Sequence, residues 1–275
     1  MLDYGLLNEK VDKFLEDLNE YQLDLVKSKE RVSDAGEVFT PKWVVTDMLN
    51  MDGIKEYSYE LDKTFLEPSC GNGNFLIQMI IRKLLMCKPE TFDIDTLEAV
   101  GTIYGVDIAE DNIRESRERM YRAVEHNYKI NNREFTQQMR EAVLFILCRN
   151  IILGNTLESK KLVEDNTTKN RFLEDIFGES INAGYTPIQL KKLKKAGKTP
   201  HIELLDNREY LETSIEDLMM SEWNFDRIDN TVQRVERPFK DLETEDDLTC
   251  KRYEKISIYE LGKLGDIEDD DEFVI

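Results

Sequence analysis

The residues with the clearest chemical potential surround two glycines, Gly71 and Gly73. They lie in residues 64–76, TFLEPSCGNGNFL, which predict a short buried strand, a glycine turn and a helix that starts near Asn74. Glycine lacks the Cβ atom that keeps a ligand away from the backbone. The free N–H groups and the positive dipole end of the helix would face this turn. The turn is therefore suited to an anionic group or a polar cofactor.

Polar residues end the next two predicted strands. Residues 102–108, TIYGVDI, predict a strand that ends in an acid at Asp107, and residues 150–155, NIILGN, predict a strand that ends in Asn155. In a doubly wound sheet, such an acid lies where the ribose of a nucleoside binds. Asp107 could accept hydrogen bonds from both ribose hydroxyls. An isolated aspartate at a strand end more commonly caps the following helix, and Asp107 could do both.

Helical patterns alternate with these strands. Thr40 and Pro41 are favourable residues for a helix start. Helices are therefore predicted over 6–31, 41–50, 110–128 and 138–148. The alternation predicts an α/β fold with a doubly wound, mostly parallel sheet. We expect this sheet to be incomplete at the C-terminus, where 255–261 adds one strand at most.

The chain divides into three predicted regions. Residues 1–35 form an N-terminal helical extension, 36–235 form the main domain with an insertion at 156–221, and 236–275 form an acidic tail. The simplest interpretation of the tail is a solvated segment. The alternative is that the tail mimics the negative charge of DNA.

The composition limits the setting of the protein. The 275 residues carry a formal net charge of −20, and no apolar run approaches the roughly 20 residues of a membrane span. Four scattered cysteines and two histidines predict reduced thiols, no metal site and a cytoplasmic location. The negative charge is unusual for a protein that holds DNA alone, because duplex binding rests largely on phosphate neutralisation. Lysines between Lys191 and Lys198 form the basic cluster where we expect DNA contact, unless they only solubilise a helix face.

Four blocks of the sequence resemble, in the same order, those of adenine-specific DNA methyltransferases of the amino-methylating group. They are 36–41, GEVFTP, similar to Gly-x-Phe-Phe-Thr-Pro; 67–76, EPSCGNGNFL, similar to Asp-Pro-Ala-Cys-Gly-Ser-Gly; 105–108, GVDI; and 152–155, ILGN. The resemblance covers about residues 36–155. It implies a Rossmann-like class I methyltransferase fold, S-adenosylmethionine as cofactor, and methyl transfer to the exocyclic amine of adenine in DNA.

The resemblance implies roles at the methionine end of the cofactor. Thr40 would meet that end, and Glu67 would lie near the amino group. The backbone of Gly71 and Gly73 would surround the carboxylate.

The resemblance also implies roles at the nucleoside end. Phe39 would flank the adenine, Asp107 would bind the ribose and Asn155 would lie near the adenine. The implied cofactor-binding residues are Phe39, Thr40, Pro41, Glu67, Gly71, Gly73, Asn74, Asp107, Ile108 and Asn155.

The catalytic block of the family is altered in this sequence. The family carries Asn-Pro-Pro-Tyr after a strand, and residues 223–228, WNFDRI, predict that strand here. Asn230 would take the first position and polarise the target amine. No proline follows Asn230, and Gln233 stands where the aromatic residue would stack on a flipped base.

The sequence is compatible with two functions. The first is an adenine methyltransferase that acts on DNA. The second is a catalytically impaired cofactor-binding subunit or remnant, completed by a protein partner that supplies target recognition, or an anti-restriction decoy. A nicotinamide enzyme fits less well, because Leu76 stands where the third glycine of its fingerprint belongs.

Overall fold

The computed structural model describes residues 2–20, 27, 38–157, 160–161, 218–239 and 250–265. The predictions for Gly36, Glu37 and the cluster Lys191–Lys198 lie outside the described residues. So do the acid-rich stretches 241–247 and 266–272 of the predicted tail.

Among the described residues, three helices precede the first strand. They are α1 (Tyr4–Asp17), α2 (Lys42–Leu49) and α3 (Ile54–Ser58). The prediction of one helix over 6–31 was wrong in its end point, because Asn19 adopts a left-handed φ of 59° that ends the helix. Pro41 precedes α2 in an extended conformation, and no side chain caps this helix.

Three parallel strands form the sheet that carries the predicted blocks. They are β1 (Phe65–Glu67), β2 (Ile103–Asp107) and β3 (Ile151–Asn155). Glu67 pairs with Gly105, and Asp107 pairs with Leu153, so the carboxyl ends of β1 and β2 lie side by side. A two-residue strand, β4 (Lys160–Lys161), runs antiparallel beside β3. The predicted α/β class with a parallel sheet is confirmed.

Four helices connect these strands. They are α4 (Asn74–Leu84), α5 (Phe92–Gly101), α6 (Glu110–Ile130) and α7 (Gln137–Asn150). Their apolar side chains share one core with Ile103, Ile151 and Leu153. The alternate strand residues Val106 and Ile152 belong to a separate cluster on the other face of the sheet. The connecting helices therefore pack on one face.

The strand order β1, β2, β3 follows the chain without a reversal. A doubly wound sheet has such a reversal, and the strand that makes it would lie beside the other edge of β1. Among the described residues, β1 pairs with β2 alone. The described strands therefore show a parallel α/β sheet, and they do not show the doubly wound topology.

A second, antiparallel sheet lies against the first. It comprises β5 (Met219–Asp226), β6 (Thr231–Pro238), β7 (Lys251–Arg252) and β8 (Ile256–Ser257). Leu218 and Met220 cover the face of the parallel sheet that the helices leave open. The strand predicted over 223–228 is found as the second half of β5, which ends at Asp226 and pairs with β6 in a hairpin instead of extending the parallel sheet.

The predicted boundary of the acidic tail at residue 236 needs correction. Strand β6 continues to Pro238, and residues 250–265 return to the folded body. Ile258 and Leu261 are both at most 1% exposed, so this segment contributes to the core. Within the part of the chain that the structure describes, no helix combines the length and apolar character needed to cross a membrane.

Candidate functional site

A pocket of about 210 Å³ opens at the carboxyl ends of β1 and β2. Seven of the predicted cofactor-binding residues line it: Phe39, Thr40, Glu67, Gly71, Asn74, Asp107 and Ile108. The other lining residues include Asn72 and Phe75, for which no specific role was predicted. The structure thus brings together side chains from three of the blocks, which are up to about seventy residues apart in the sequence.

Both glycines of the turn are required by geometry. Gly71 has a φ of 53° and Gly73 a φ of 88°, a region that other residues rarely adopt. A Cβ atom at Gly73 would lie 2.8 Å from Ser116 Oγ. A Cβ atom at Gly71 would lie 3.0 Å from the ring of Phe39. The turn therefore packs closely against both α6 and the pocket wall.

Asp107 fastens the glycine turn to the end of β2. Its Oδ2 accepts a hydrogen bond from Gly71 N at 2.9 Å. Its Oδ1 accepts from Ala109 N at 2.9 Å and from Asn112 Nδ2 at 3.2 Å, just before the start of α6. A carboxylate has about four acceptor positions, so Asp107 has capacity left at Oδ2. It can accept one further ligand hydroxyl there, in addition to supporting the turn and the helix start.

The N–H groups of both glycines are engaged within the protein. Gly71 N donates to Asp107, and Gly73 N donates to Cys70 O at 2.9 Å. The placement of the Gly71 and Gly73 backbone around the cofactor carboxylate stays a prediction, and these two N–H groups already have partners within the protein. The first N–H groups of α4 remain the available anion-binding groups at this turn, because they have no partner within the helix.

The pocket wall carries negative charge. Glu67 and Asp107 both line it, and no lysine or arginine does so among the described residues. Burial raises the pKa of Glu67, and a hydrogen bond from Ser69 N at 3.4 Å only partly opposes this. Burial also raises the pKa of the Cys70 thiol well above its usual value, so this sulfur stays protonated. These acceptor groups favour a ligand that brings a positive charge.

Lys27 lies behind the pocket wall and contacts three residues of α6. Its Nζ donates to Asp111 Oδ2 and Asn112 Oδ1, both at 2.9 Å, and approaches Glu115 Oε2 to 2.8 Å. It also lies 5.8 Å from the centre of the Phe39 ring. The lysine therefore neutralises the acidic start of α6 beside the pocket.

A buried ion pair supports the other side of the turn. Arg119 pairs with Glu20 at 2.7 Å, and their side chains are only 8% and 9% exposed. Arg119 also donates to Asn72 O and to Asn74 Oδ1, while Asn74 Nδ2 donates to Thr40 O at 2.8 Å. These bonds connect the residues after α1 with the pocket rim.

These supporting residues of α6 were missed by the sequence interpretation. Asn112, Ser116 and Arg119 are all buried and follow one another at spacings of four and three residues. Polar side chains at helical spacing, on the face that should be apolar, are the signal that could have revealed them.

Three predicted cofactor residues do not line the pocket. Pro41 and Gly73 adjoin lining residues in the chain, while Asn155 lies at the end of β3. The Oδ1 atom of Asn155 accepts a hydrogen bond from Leu157 N at 3.1 Å, as in a turn that follows a strand.

Asn230 lies away from the pocket, contrary to its predicted catalytic role. It occupies the turn between β5 and β6 with a φ of 52°, and its carbonyl accepts from Ile258 N at 3.0 Å. Nearby in this hairpin, Phe225 packs against Gly101, and Arg227 pairs with Asp95 of α5 at 3.1 Å. Gly101 lies just before β2, so this end of the hairpin is near the amino ends of the parallel strands.

No metal centre is formed by the described residues, among which no group of three or more His, Cys, Asp or Glu side chains could hold an ion. Cys70, Cys87, Cys148 and Cys250 are all free thiols.

Comparisons with known proteins found no match for this chain. No family model matches this chain. Neither a curated protein nor a solved structure matches it.

Proposed function

We propose that this chain binds S-adenosylmethionine in the pocket at the carboxyl ends of β1 and β2. The observation that carries the proposal is the hydrogen bond from Gly71 N to Asp107 Oδ2, which joins the glycine turn to the acid after the next strand. Around this hydrogen bond, the turn, Glu67 and Phe39 line the same pocket. Nucleoside ligands of parallel α/β sheets bind at this edge.

The chemistry of the pocket fits the proposed cofactor. S-Adenosylmethionine carries a sulfonium and an ammonium group, and the pocket carries two carboxylates without a basic lining residue among those described. Asp107 Oδ2 can accept one ribose hydroxyl, and the buried ring of Phe39 provides an apolar surface for the adenine. When bound, this cofactor supplies a methyl group that is activated by the positive sulfur.

The resemblance of four sequence blocks makes the adenine amine of DNA our proposed methyl acceptor. Positioning of this amine in line with the methyl group would provide most of the catalysis. Glu67 and Asp107 would hold the cofactor, and the wall with Phe39 and Phe75 would keep water away from its apolar parts.

The position of Asn230 favours a second candidate function, a cofactor-binding subunit that needs a partner for turnover. Among the described residues, the altered catalytic block lies on a hairpin that docks near the opposite end of the parallel strands. The outer edge of β1, where the reversal strand of a doubly wound sheet would pair, has no described partner. A partner chain could supply both the base-binding groups and the missing strands.

Binding of the cofactor can be tested by calorimetry with S-adenosylmethionine. We expect saturable binding to the unmodified chain and about tenfold weaker binding to Glu67→Gln, because a charge-assisted contact is lost. Glu9→Gln, which changes an exposed residue of α1 in the same way, is the matched control and should bind normally. Absence of heat with the unmodified chain at millimolar cofactor would overturn the proposal.

Transfer of labelled methyl groups to DNA separates the two candidate functions. Incorporation by the purified chain alone supports the methyltransferase. Incorporation only after addition of the product of a neighbouring gene supports the subunit. In either case Asn230→Ala should leave the rate unchanged, because the hairpin turn lies away from the pocket.

A further inference from the structure

Asn72 stands between the two glycines and carries a buried acceptor without a donor. The residue lines the pocket and is only 3% exposed. Its Nδ2 donates to Glu115 Oε1 at 3.1 Å. Its Oδ1 is buried and has no hydrogen-bond partner among the described residues. Such an atom has lost its contact with water without compensation, which is rare in folded proteins.

The orientation of this amide follows from the charges around it. Lys27 holds the Glu115 carboxylate from behind at 2.8 Å. Rotation of the Asn72 amide by half a turn would place Oδ1 against this carboxylate, so that two acceptors would face each other. Arg119 fixes the same residue through its backbone oxygen. Oδ1 is therefore the atom that remains without a partner.

The surroundings indicate what kind of donor this oxygen needs. Glu67 lines the same pocket, and no lysine or arginine does so within the described part of the chain. The glycine N–H groups on either side of Asn72 are already engaged. This part of the pocket thus presents acceptors, which match a cationic group with several N–H donors.

We infer that Asn72 Oδ1 accepts a hydrogen bond from the ammonium group of the bound cofactor, next to Glu67. This inference rests on the proposed function. An ammonium group has three donors, enough to serve the asparagine and the carboxylate together. Glu115 is the positioning residue, because its carboxylate accepts from Nδ2 and so leaves Oδ1 as the acceptor that lacks a donor.

The experiment compares two ligands in matched variants by calorimetry. The ligands are S-adenosylhomocysteine and its desamino analogue, in which hydrogen replaces the amino group. The unmodified chain should prefer the amino compound. The ratio to compare is the dissociation constant of the desamino compound divided by that of the amino compound. In Asn72→Ser, and in Asn72→Ala as a second variant, this ratio should fall by about tenfold. The control is Asn131→Ala at the exposed end of α6, which should keep the original ratio.

The ratio separates ligand contact from structural support. If both dissociation constants rise equally in the Asn72 variants, the residue only supports the turn and the inference is overturned while the proposed function stands. If the unmodified chain binds neither ligand, both the inference and the proposed function are overturned. A fall of the ratio in either folded variant supports the contact.

Discussion

Single residues of the site combine structural and chemical tasks. Asp107 is the clearest example, because three of its acceptor positions support the turn and the start of α6. Asp107→Ala would therefore abolish both the turn support and the proposed ribose contact, and weaker binding in this variant would not separate the two. Glu67 is the more informative position, since its contacts hold no other element among the described bonds.

The pH dependence of Glu67 gives a prediction with opposite effects on binding and stability. Its pKa is raised in the folded chain by burial, so folding favours the protonated form. The stabilising effect of this protonation is complete below the unfolded pKa and is lost as the pH rises through the folded pKa. Binding of the cationic cofactor should strengthen as the pH rises through the same range, because the Glu67 carboxyl group becomes charged.

Across this pH range, calorimetry would check the predicted change in cofactor binding, and urea unfolding would check the predicted change in stability. Glu67→Gln should remove the contribution of this residue to each profile, and at neutral pH its ligand-free form should be more stable than the unmodified chain. A variant that binds more weakly and is also less stable at neutral pH would contradict the assignment of Glu67 as a desolvated binding group.

Gly73 offers a prediction with an internal control. Gly73→Ala and Gly53→Ala both place a side chain at a φ near +85°, which costs about 1 kcal/mol for an L-residue. At Gly53 the new Cβ meets nothing within 4 Å, whereas at Gly73 it meets Ser116 at 2.8 Å. We expect Gly73→Ala to lower the unfolding free energy by about 1–3 kcal/mol more than Gly53→Ala. Equal losses in urea unfolding would show that the turn can relax.

At the scale of elements, α6 connects the N-terminal residues to the pocket. Lys27 contacts Asn112, which binds Asp107, and Glu115, which binds Asn72. One lysine thus acts on two pocket residues through two side chains of the same helix.

We expect Lys27→Met to weaken cofactor binding several-fold while changing the unfolding free energy by about 1 kcal/mol or less, because the lysine is partly exposed. Lys63→Met is the control. Lys63 also pairs with acids and lies 5.8 Å from the centre of an aromatic ring, that of Tyr57, but these partners do not line the pocket. If both variants bind as tightly as the unmodified chain in calorimetry, the connection through α6 does not matter for binding.

A buried hydrogen bond joins the hairpin of β5 and β6 to the end of α7. Trp223 Nε1 donates to Asn150 Oδ1 at 2.9 Å, and Asn150 Nδ2 donates to Gly101 O at 3.0 Å and Ile103 O at 3.1 Å. Trp223→Phe should lower the unfolding free energy by about 1–3 kcal/mol, since Asn150 loses a buried partner. Cofactor affinity should be unchanged in the folded variant. A folded Trp223→Phe with greatly reduced affinity in calorimetry would place the hairpin close to the ligand.

At the scale of the molecule, local patterns predicted the first strands and their helices well. The periodicity of 110–128 and the glycine turn before Asn74 gave elements within a few residues of those observed. The hairpin could not be predicted from 223–228 alone, because the sequence of one strand does not indicate which sheet it joins. The decisive contact, Trp223 with Asn150, joins residues that are distant in the sequence.

The residues that support the pocket could not be predicted from local sequence patterns either. Lys27 and Glu20 are charged residues near an amphipathic helix, where charges usually face solvent. Their partners on α6 are about 80 to 100 positions away in the chain. Only the folded arrangement shows that Arg119 needs Glu20 as a buried counter-ion.

The buried pair of Arg119 and Glu20 bears on where this chain can be shortened. A fragment that starts at residue 36, the predicted beginning of the main domain, would lack Glu20 and leave the guanidinium enclosed without its counter-charge. Loss of one member of an enclosed pair costs about 3–5 kcal/mol, a large part of the stability of an ordinary domain. A recombinant fragment meant for ligand screening should therefore keep the first helix and the residues up to Lys27.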